Sequence, residues 1–295
     1  MREKTGQEVI AMTATGRMTI SEKDLEAFRS YLRIEEKSGA TVEKYVRAAG
    51  ELMAWLEGRE LTKEAAVSWK TELCTRALDP VTVNGKLAAL NSLLRYLKRE
   101  DCAVKYLKVQ RSIFRDAKRE MTLEEYNRLL AAARKHGDTR MCLAMETICA
   151  TGIRVSELKY ITLEAVKEGQ AVVKLKGKVR SILISGKLAK RLLQYAQEHQ
   201  IDAGVIFRTR NGTPMDRRQI WAKMKAYCEE AAVDSSKVFP HNLRHLFART
   251  HYARYHDLVC LASVLGHSSV ETTRIYLITT GAACAKQLEE LRLIS

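Results

Sequence analysis

The sequence has 295 residues, of which 46% are apolar and 29% charged, with three prolines and fifteen glycines. This mixture is typical of a folded globular chain and excludes long low-complexity segments, while the length is enough for two domains with separate cores. The formal net charge is +15. Such an excess of lysine and arginine attracts polyanions, of which nucleic acids are the commonest in the cytoplasm. Charge alone also fits a ribosome-associated or membrane-surface protein.

The seven cysteines include no C-x-x-C pair and lie mostly among apolar residues on predicted helices. This pattern predicts reduced, buried thiols, with neither a disulfide framework nor a zinc site. No segment has the roughly eighteen to twenty consecutive apolar residues of a membrane span. The first 17 residues lack the apolar stretch of a secretory signal. We therefore expect a cytoplasmic protein that uses no metal or other cofactor.

The first third of the sequence shows four helical patterns after a segment without any period. Residues 1–20 are predicted to be a flexible N-terminal segment, and residues 21–100 a bundle of four helices joined by short loops. Ser21 and Asp24 form the expected capping box of the first helix, and the third helix is expected to end before Pro80. The expected starts of the second, third and fourth helices are Thr41, Thr62 and about Thr82.

Residues 101–120 lose the helical period and have six basic side chains against three acidic ones. A solvated basic linker and a linker that lies along a phosphate backbone both explain this composition. The basic residues are Lys105, Lys108, Arg111, Arg115, Lys118 and Arg119.

A second domain, residues 121–295, is expected to begin at Thr122, where Glu125 completes another capping box. Its pattern is helical apart from three short β-rich runs and two turns, and it ends in a predicted helix at 281–293. The fold class is therefore predicted as mainly α, with a small antiparallel β-sheet in the second domain. The runs are 171–175, 181–184 and 205–207, and the turns are Lys176-Gly177-Lys178 and Asn211-Gly212.

Four short stretches of the second domain contain the residues that suggest chemistry. Each has an ordinary structural explanation when it is read alone: an arginine after a helix-ending glycine, a histidine and an arginine on one solvated helix face, a histidine at a helix end, and a tyrosine on an amphipathic helix. The stretches are 151–158, 176–178, 240–245 and 265–276. Their candidate residues are Arg154, Lys176, His241, Arg244, His267 and Tyr276.

Together these residues match the needs of transferring a DNA phosphodiester onto a tyrosine. The transition state places extra negative charge on the non-bridging oxygens, which the planar forks of two arginines bind well. A tyrosine hydroxyl, with an ordinary pKa of about 10, must lose its proton as it attacks, so cationic and histidine neighbours are needed. The leaving 5′-oxygen needs a proton donor, which a lysine on a hairpin turn can supply.

The ordered motifs resemble those of the tyrosine recombinase (phage integrase) family, and the length is similar to that of its Xer-type members. T-G-I-R-V-S-E-L at 151–158 resembles the segment with the family's first catalytic arginine, and H-N-L-R-H at 241–245 its His-x-x-Arg box. L-G-H-S-S-V-E-T-T-R-I-Y at 265–276 resembles its histidine-to-nucleophile segment. The resemblance covers about residues 20–295, and the last motif is highly specific.

The resemblance implies a role for each residue that meets the phosphate. Arg154 and Arg244 would bind the scissile phosphate, and His267 would form a hydrogen bond with a non-bridging oxygen. Glu157 would order the segment of the first arginine without touching DNA.

The resemblance also implies the covalent step and the proton transfers. Tyr276 would attack and leave a 3′-phosphotyrosyl bond with a free 5′-hydroxyl, while His241 would help to move the tyrosine proton. Lys176 would be the general acid, but its turn is shorter than the family's usual hairpin, so Lys178 stays an alternative. The phosphotyrosine stores the energy of the broken bond, so neither ATP nor a metal ion is required.

The same resemblance implies how the chain is organised and what it binds. Residues 21–100 would be a core-binding (SAM-like) helical domain, 101–120 the linker between two halves of a clamp around DNA, and 121–295 the catalytic domain. The helix at 281–293 would dock on a neighbouring protomer. The expected partner is double-stranded DNA with paired recombination half-sites, bound by a homo-tetramer or by a hetero-tetramer with a second recombinase.

Two other functions stay open on the sequence. Type IB topoisomerase chemistry uses a similar set of residues on a single duplex, and a non-catalytic DNA-binding relative would keep the fold without the reaction. The recombinase-like spacings and the separate N-terminal bundle favour site-specific recombination. Resolution, integration, excision and inversion of DNA would all use the same motifs.

Overall fold

The computed structural model describes residues 19–109, 119–175, 178–267, 269–274 and 289–290. The flexible segment predicted at the N-terminus and the middle of the basic linker therefore lie outside the described residues. The C-terminal helix predicted at 281–293 also lies outside them, except for the helical residues 289–290. Among the described residues, no helix is long and apolar enough to cross a membrane.

The described chain is mainly helical, with one two-stranded antiparallel sheet, which confirms the predicted fold class. It divides into two compact units between Arg111 and Ser112. The cysteines in the described ranges are free thiols, as predicted. Burial was predicted less well, because Cys74 and Cys260 are exposed.

The N-terminal unit is a bundle of four helices whose apolar faces meet in one core. Each helix contributes a fully buried side chain: Phe28, Leu52, Trp69 and Leu87. Burial of apolar surface stabilises by roughly 25 cal/mol per Å², so this shared core holds the helices together. The helices are α1 (Glu22–Ile34), α2 (Gly39–Leu56), α3 (Lys63–Thr75) and α4 (Pro80–Tyr96).

The helix starts in this unit follow their capping residues. Ser21 caps α1 in the predicted capping box with Asp24, and Thr62 caps α3 as predicted. The predicted start of α2 was wrong by two residues, because the hydroxyl of Ser38 accepts the backbone N–H of Thr41 and so caps the helix earlier. The predicted start of α4 was also late, since the helix begins at its proline, capped by the preceding aspartate.

The segment that follows α4 is held against the bundle by two asparagines. The Asn91 side chain accepts the backbone N–H of Val104 (2.9 Å) and donates to its carbonyl (2.9 Å). Asn84 does the same with Leu107, at 2.8 and 3.0 Å. The described first half of the predicted basic linker is therefore packed on the N-terminal unit.

The C-terminal unit is built around the helix Thr139–Thr151, which packs against four other helices of the unit. Its Met141 and Ile148 are fully buried in the main core of the unit, while Leu261 and Leu265 belong to a smaller separate cluster. The elements are α5 (Leu123–Lys135), α6 (Thr139–Thr151), α7 (Leu163–Lys167), β1 (Gln170–Leu175), β2 (Lys178–Leu183), α8 (Gly186–Glu198), α9 (Arg217–Ala226), α10 (Pro240–Tyr255), α11 (Leu258–Leu265) and α12 (Val270–Arg274).

Local signals again placed several boundaries in this unit. Thr122 and Glu125 form the predicted capping box of α5. Strand β1 agrees with its prediction to one residue, but β2 begins three residues earlier than predicted, where Lys178 pairs with Leu175. Two residues, 176–177, connect the paired ends and lie outside the described chain. Of the predicted run 205–207, the structure shows one isolated bridge between Val205 and Thr162.

Candidate active site

Arg154 is placed by the end of α6. The helix ends because Gly152 takes a left-handed conformation, with φ at 63°. Arg154 follows two residues later and keeps 41% of its side chain exposed. Glu157 accepts its backbone N–H (2.8 Å) and its guanidinium N–H (3.1 Å). One carboxylate therefore fixes both the main chain and the side chain of the first candidate arginine.

Glu157 is held from a second direction by Arg180 of β2. The carboxylate is 2% exposed and pairs with the Arg180 guanidinium. Burial alone would raise the pKa of Glu157, but the Arg154 N–H and the nearby guanidinium charges outweigh burial and lower this pKa. Arg180 also donates to the Val264 carbonyl on α11 (2.9 Å). The hairpin, the Arg154 segment and α11 are thus joined by one polar network.

Arg244 lies on α10, the helix that Pro240 begins, and only 1% of it is exposed. Its Nη1 donates to the Gly152 carbonyl (2.5 Å) and its Nη2 to the Leu265 carbonyl (2.8 Å). These carbonyls stand at the C-terminal ends of α6 and α11, where the helix dipole is negative. The buried charge of Arg244 therefore joins the two helix ends that precede Arg154 and His267.

His267 follows the end of α11. Gly266 has φ at 64°, and the backbone N–H of His267 donates to the Ala262 carbonyl (3.0 Å), as in a Schellman cap. Nε2 of the ring accepts a hydrogen bond from Nη2 of Arg244 (2.8 Å). Nδ1 lies 2.8 Å from Oγ1 of Thr273. Arg244 and Thr273 thus contact the two ring nitrogens of His267.

The surroundings of His267 favour its neutral form. Burial and nearby positive charge lower its pKa to about 4. The neighbouring arginines that act in this way are Arg244, Arg154 and Arg180. A bound phosphate would add negative charge at the same place and raise this pKa again.

His241 lies in the first turn of α10. Its ring packs edge-on against His245, with 4.6 Å between ring centroids. Desolvation and then the charges of Arg244, Arg154 and Arg217 lower its pKa, so the ring is a candidate proton acceptor.

The structure brings four of the six predicted site residues into one electrostatic neighbourhood: Arg154, His241, Arg244 and His267. Lys176 and Tyr276 lie outside the described residues, and of Lys178 only the backbone is described. No group of three His, Cys, Asp or Glu side chains within the described ranges is arranged to hold a metal ion.

Sequence reasoning missed three residues that shape this site: Arg180, Arg217 and Thr273. Arg180 shares a strand face with Ile182, which is buried, so an arginine on the inward face of the hairpin was the available signal. Thr273 is a fully buried polar residue within the last motif. Arg217 gave no local signal, because its influence on His241 depends on the position of α9.

Two residues that follow the ends of α6 and α11, Arg154 and His267, and two residues of α10, His241 and Arg244, can bind one phosphodiester and accept or donate protons beside it. A helical fold with such a site defines a class of proteins that act on phosphodiesters.

Comparison with known proteins agrees with action on phosphodiesters and identifies one family within that class. The model of the phage integrase family matches residues 119–280. Tyrosine recombinase XerD of Pseudomonas aeruginosa is 30% identical over 269 residues, covering 80% of this chain and 85% of the relative. Tyrosine recombinase XerA of Pyrococcus furiosus is 26% identical over 285 residues, covering 94% and 96%.

A similar fold occurs in the crystal structure of a lambda integrase tetramer bound to a Holliday junction. The TM-score is 0.69 at 16% identity, covering 89% of this chain and 78% of that one. The chain belongs to the phage integrase family. It is a tyrosine site-specific recombinase, an enzyme that breaks and rejoins DNA.

Proposed function

We propose that the reaction proceeds through Tyr276. Its hydroxyl attacks a phosphodiester and forms a 3′-phosphotyrosyl bond, and the free 5′-hydroxyl leaves. Attack by a 5′-hydroxyl from a second duplex then releases the tyrosine and completes strand exchange. His241 helps to move the tyrosine proton, and Lys176 or Lys178 protonates the leaving 5′-oxygen.

The scissile phosphate is bound by Arg154, Arg244 and His267. The observation that supports this most is the 2.8 Å contact between Arg244 and His267, made at the meeting point of two helix ends. A phosphate oxygen can replace the ring as acceptor of the Arg244 N–H, because an anion is a better acceptor than a neutral imidazole. Arg154 is half-exposed near this partly buried pair and can close on the same phosphate.

Covalent trapping tests this proposal. The full chain and its Tyr276→Phe variant are incubated, without metal ion or ATP, with nicked duplexes that tile the DNA flanking the gene, and are then run on a denaturing gel. We expect a retarded protein–DNA band with the unaltered chain only. Binding to the duplexes without any covalent band would contradict the proposed nucleophile and favour a non-catalytic relative.

Strand exchange, as distinct from relaxation of one duplex, needs its own readout. Two duplexes of different length that contain the trapped site are mixed with the protein, and we expect recombinant products of predictable length. Relaxation of supercoiled plasmid without any joining of different duplexes would favour topoisomerase-like chemistry.

The assembly is proposed by extension from the lambda integrase tetramer on a Holliday junction. Four protomers, of this chain alone or with a second recombinase, occupy paired half-sites on double-stranded DNA in the cytoplasm, and the segment 281–293 docks on a neighbouring protomer. A chain that ends at residue 280 should bind a single half-site and fail to assemble, as measured by mass photometry on paired sites. Normal assembly of that truncated chain would contradict the docking role.

A further inference from the structure

Thr273 is a polar residue that the roles above leave unused. It lies on α12 with no exposed surface, three positions before Tyr276 in the sequence. A buried hydroxyl is unfavourable unless it is hydrogen-bonded. The structure supplies that bond through Nδ1 of His267, 2.8 Å from Oγ1.

The direction of this bond follows from the other side of the ring. Arg244 has only donors, so Nε2 of His267 must accept from it and therefore has no proton. On a neutral imidazole the single proton is then on Nδ1, which donates to the Thr273 hydroxyl. The ring is held between a donor at Nε2 and an acceptor at Nδ1.

The proposed reaction asks for a different arrangement at Nε2. To bind a non-bridging oxygen of the phosphate, His267 must donate a proton from Nε2. Nδ1 is then either protonated as well or an acceptor. A hydroxyl suits both forms, because it accepts from an N–H and, by rotating, donates to a bare nitrogen.

We propose that Thr273 is a positioning residue, whose hydroxyl holds the ring of His267 so that Nε2 faces the scissile phosphate. This inference deepens the proposed function and rests on it. The contact also joins the phosphate-binding histidine to the helix that precedes Tyr276, so one hydrogen bond ties two parts of the reaction to each other.

Three variants test the role of the hydroxyl. Thr273→Val keeps the shape of the side chain and removes the hydrogen bond, Thr273→Ser keeps the hydroxyl, and Thr272→Val makes the same change at the exposed neighbour. The rate of covalent complex formation is measured at saturating nicked DNA, together with the DNA Kd and the melting temperature.

We expect Thr273→Val to slow cleavage by about ten- to a hundredfold, as for other residues that orient a reacting group, while the DNA Kd changes by less than about threefold. Thr273→Ser and Thr272→Val should cleave within about threefold of the unaltered chain. Unchanged cleavage by Thr273→Val, or an equal loss in Thr273→Ser, would overturn the role of the hydroxyl.

A spectroscopic measurement separates this inference from the proposed function. In ¹⁵N-histidine-labelled full chain without DNA, His267 is assigned by the signal missing from His267→Gln. Its Nδ1–H should be visible and slow to exchange with water in the unaltered chain and in Thr273→Ser, and lost in Thr273→Val. A protected Nδ1–H that persists in Thr273→Val would overturn the inference whether or not DNA is cleaved. Absence of covalent complex from the unaltered chain would instead count against the proposed reaction.

Discussion

Arg154 and Arg244 have the same charge but stand in different surroundings. Arg154 keeps 41% of its side chain exposed and is held by Glu157. Arg244 is 1% exposed and donates to two buried helix ends. We therefore expect Arg154 to act mainly in phosphate binding, whereas Arg244 also stabilises the fold.

Alanine substitution should separate these two roles. Arg154→Ala should slow cleavage by about 10²–10³-fold, with little change in stability, because Glu157 keeps its pair with Arg180. Arg244→Ala should abolish cleavage and also lower the free energy of unfolding by about 2–4 kcal/mol, since it leaves buried carbonyls without donors. Urea unfolding and covalent trapping measure the two effects. Equal stability losses in both variants would contradict the distinction.

The lowered pKa of His267 has a consequence for stability. The folded ring titrates at a pKa of about 4 and the unfolded ring at its ordinary 6.5, so the unfolded chain binds more protons between these values. The neutral ring of His267 therefore contributes fully to the free energy of unfolding above about pH 6.5. This contribution is lost as the pH falls toward 4. His241, whose pKa is also lowered, acts in the same direction.

Replacing His267 with glutamine should therefore flatten the loss of unfolding free energy between pH 7 and pH 5, measured in urea. The control is His256→Asn, at the exposed left-handed cap of α10. The free energy of unfolding of this variant should change with pH as it does in the unaltered chain. An identical pH dependence in the His267→Gln variant would show that this ring is not held neutral by its surroundings.

At the scale of elements, two helix ends build the site, and both depend on glycine. Gly152 and Gly266 have positive φ values, at 63° and 64°, and each precedes a site residue. A Cβ on Gly152 would lie 2.4 Å from the Phe247 ring and 2.9 Å from Leu265. Gly152 is thus required both by its backbone conformation and by the close packing of α10 and α11.

Comparison with Gly137 isolates the packing effect. Gly137 has a similar φ of 65°, but a Cβ there would meet nothing within 4 Å. Gly137→Ala should lower the free energy of unfolding by about 1–2 kcal/mol. Gly152→Ala should lower it by about 1–3 kcal/mol more, because the neighbouring side chains must shift. Equal losses of unfolding free energy in the two variants, measured by urea unfolding, would contradict the close packing of side chains against Gly152.

Local signals in the sequence were enough for most helix starts. Ser21 and Thr62 cap their helices because the capping side chain and the N–H it accepts are only a few residues apart. The start of α2 was mispredicted because Ser38 and Thr41 can both cap, and in the structure Ser38 is the residue that caps. Elements could be predicted where the deciding contacts are local.

The candidate site could likewise be predicted only in part from the sequence. Arg154, His241, Arg244 and His267 were found from the motifs, and the structure brings them together. Arg180 was not found, since its contacts lie 23 and 84 positions away in the chain. Contacts over such distances are set by tertiary packing and leave little trace in a single sequence.

At the scale of the whole molecule, the net charge of +15 sets how the chain meets DNA. Each phosphate neutralised by lysine or arginine releases condensed counterions, so affinity falls as salt rises. With about six to ten phosphate contacts, the affinity should fall by about 10³–10⁵ between roughly 50 and 200 mM salt. Fluorescence anisotropy over a salt series measures the slope, and a flat response would contradict extensive phosphate contact.

In the proposed reaction Tyr276 becomes linked to a DNA 3′-phosphate. The most direct measurement is mass spectrometry of the trapped complex after digestion by protease and nuclease. We expect a nucleotide remnant attached through its 3′-phosphate to the peptide that contains Tyr276, and a free 5′-hydroxyl on the other side of the break. A remnant on another residue, or one attached through a 5′-phosphate, would contradict the proposed reaction.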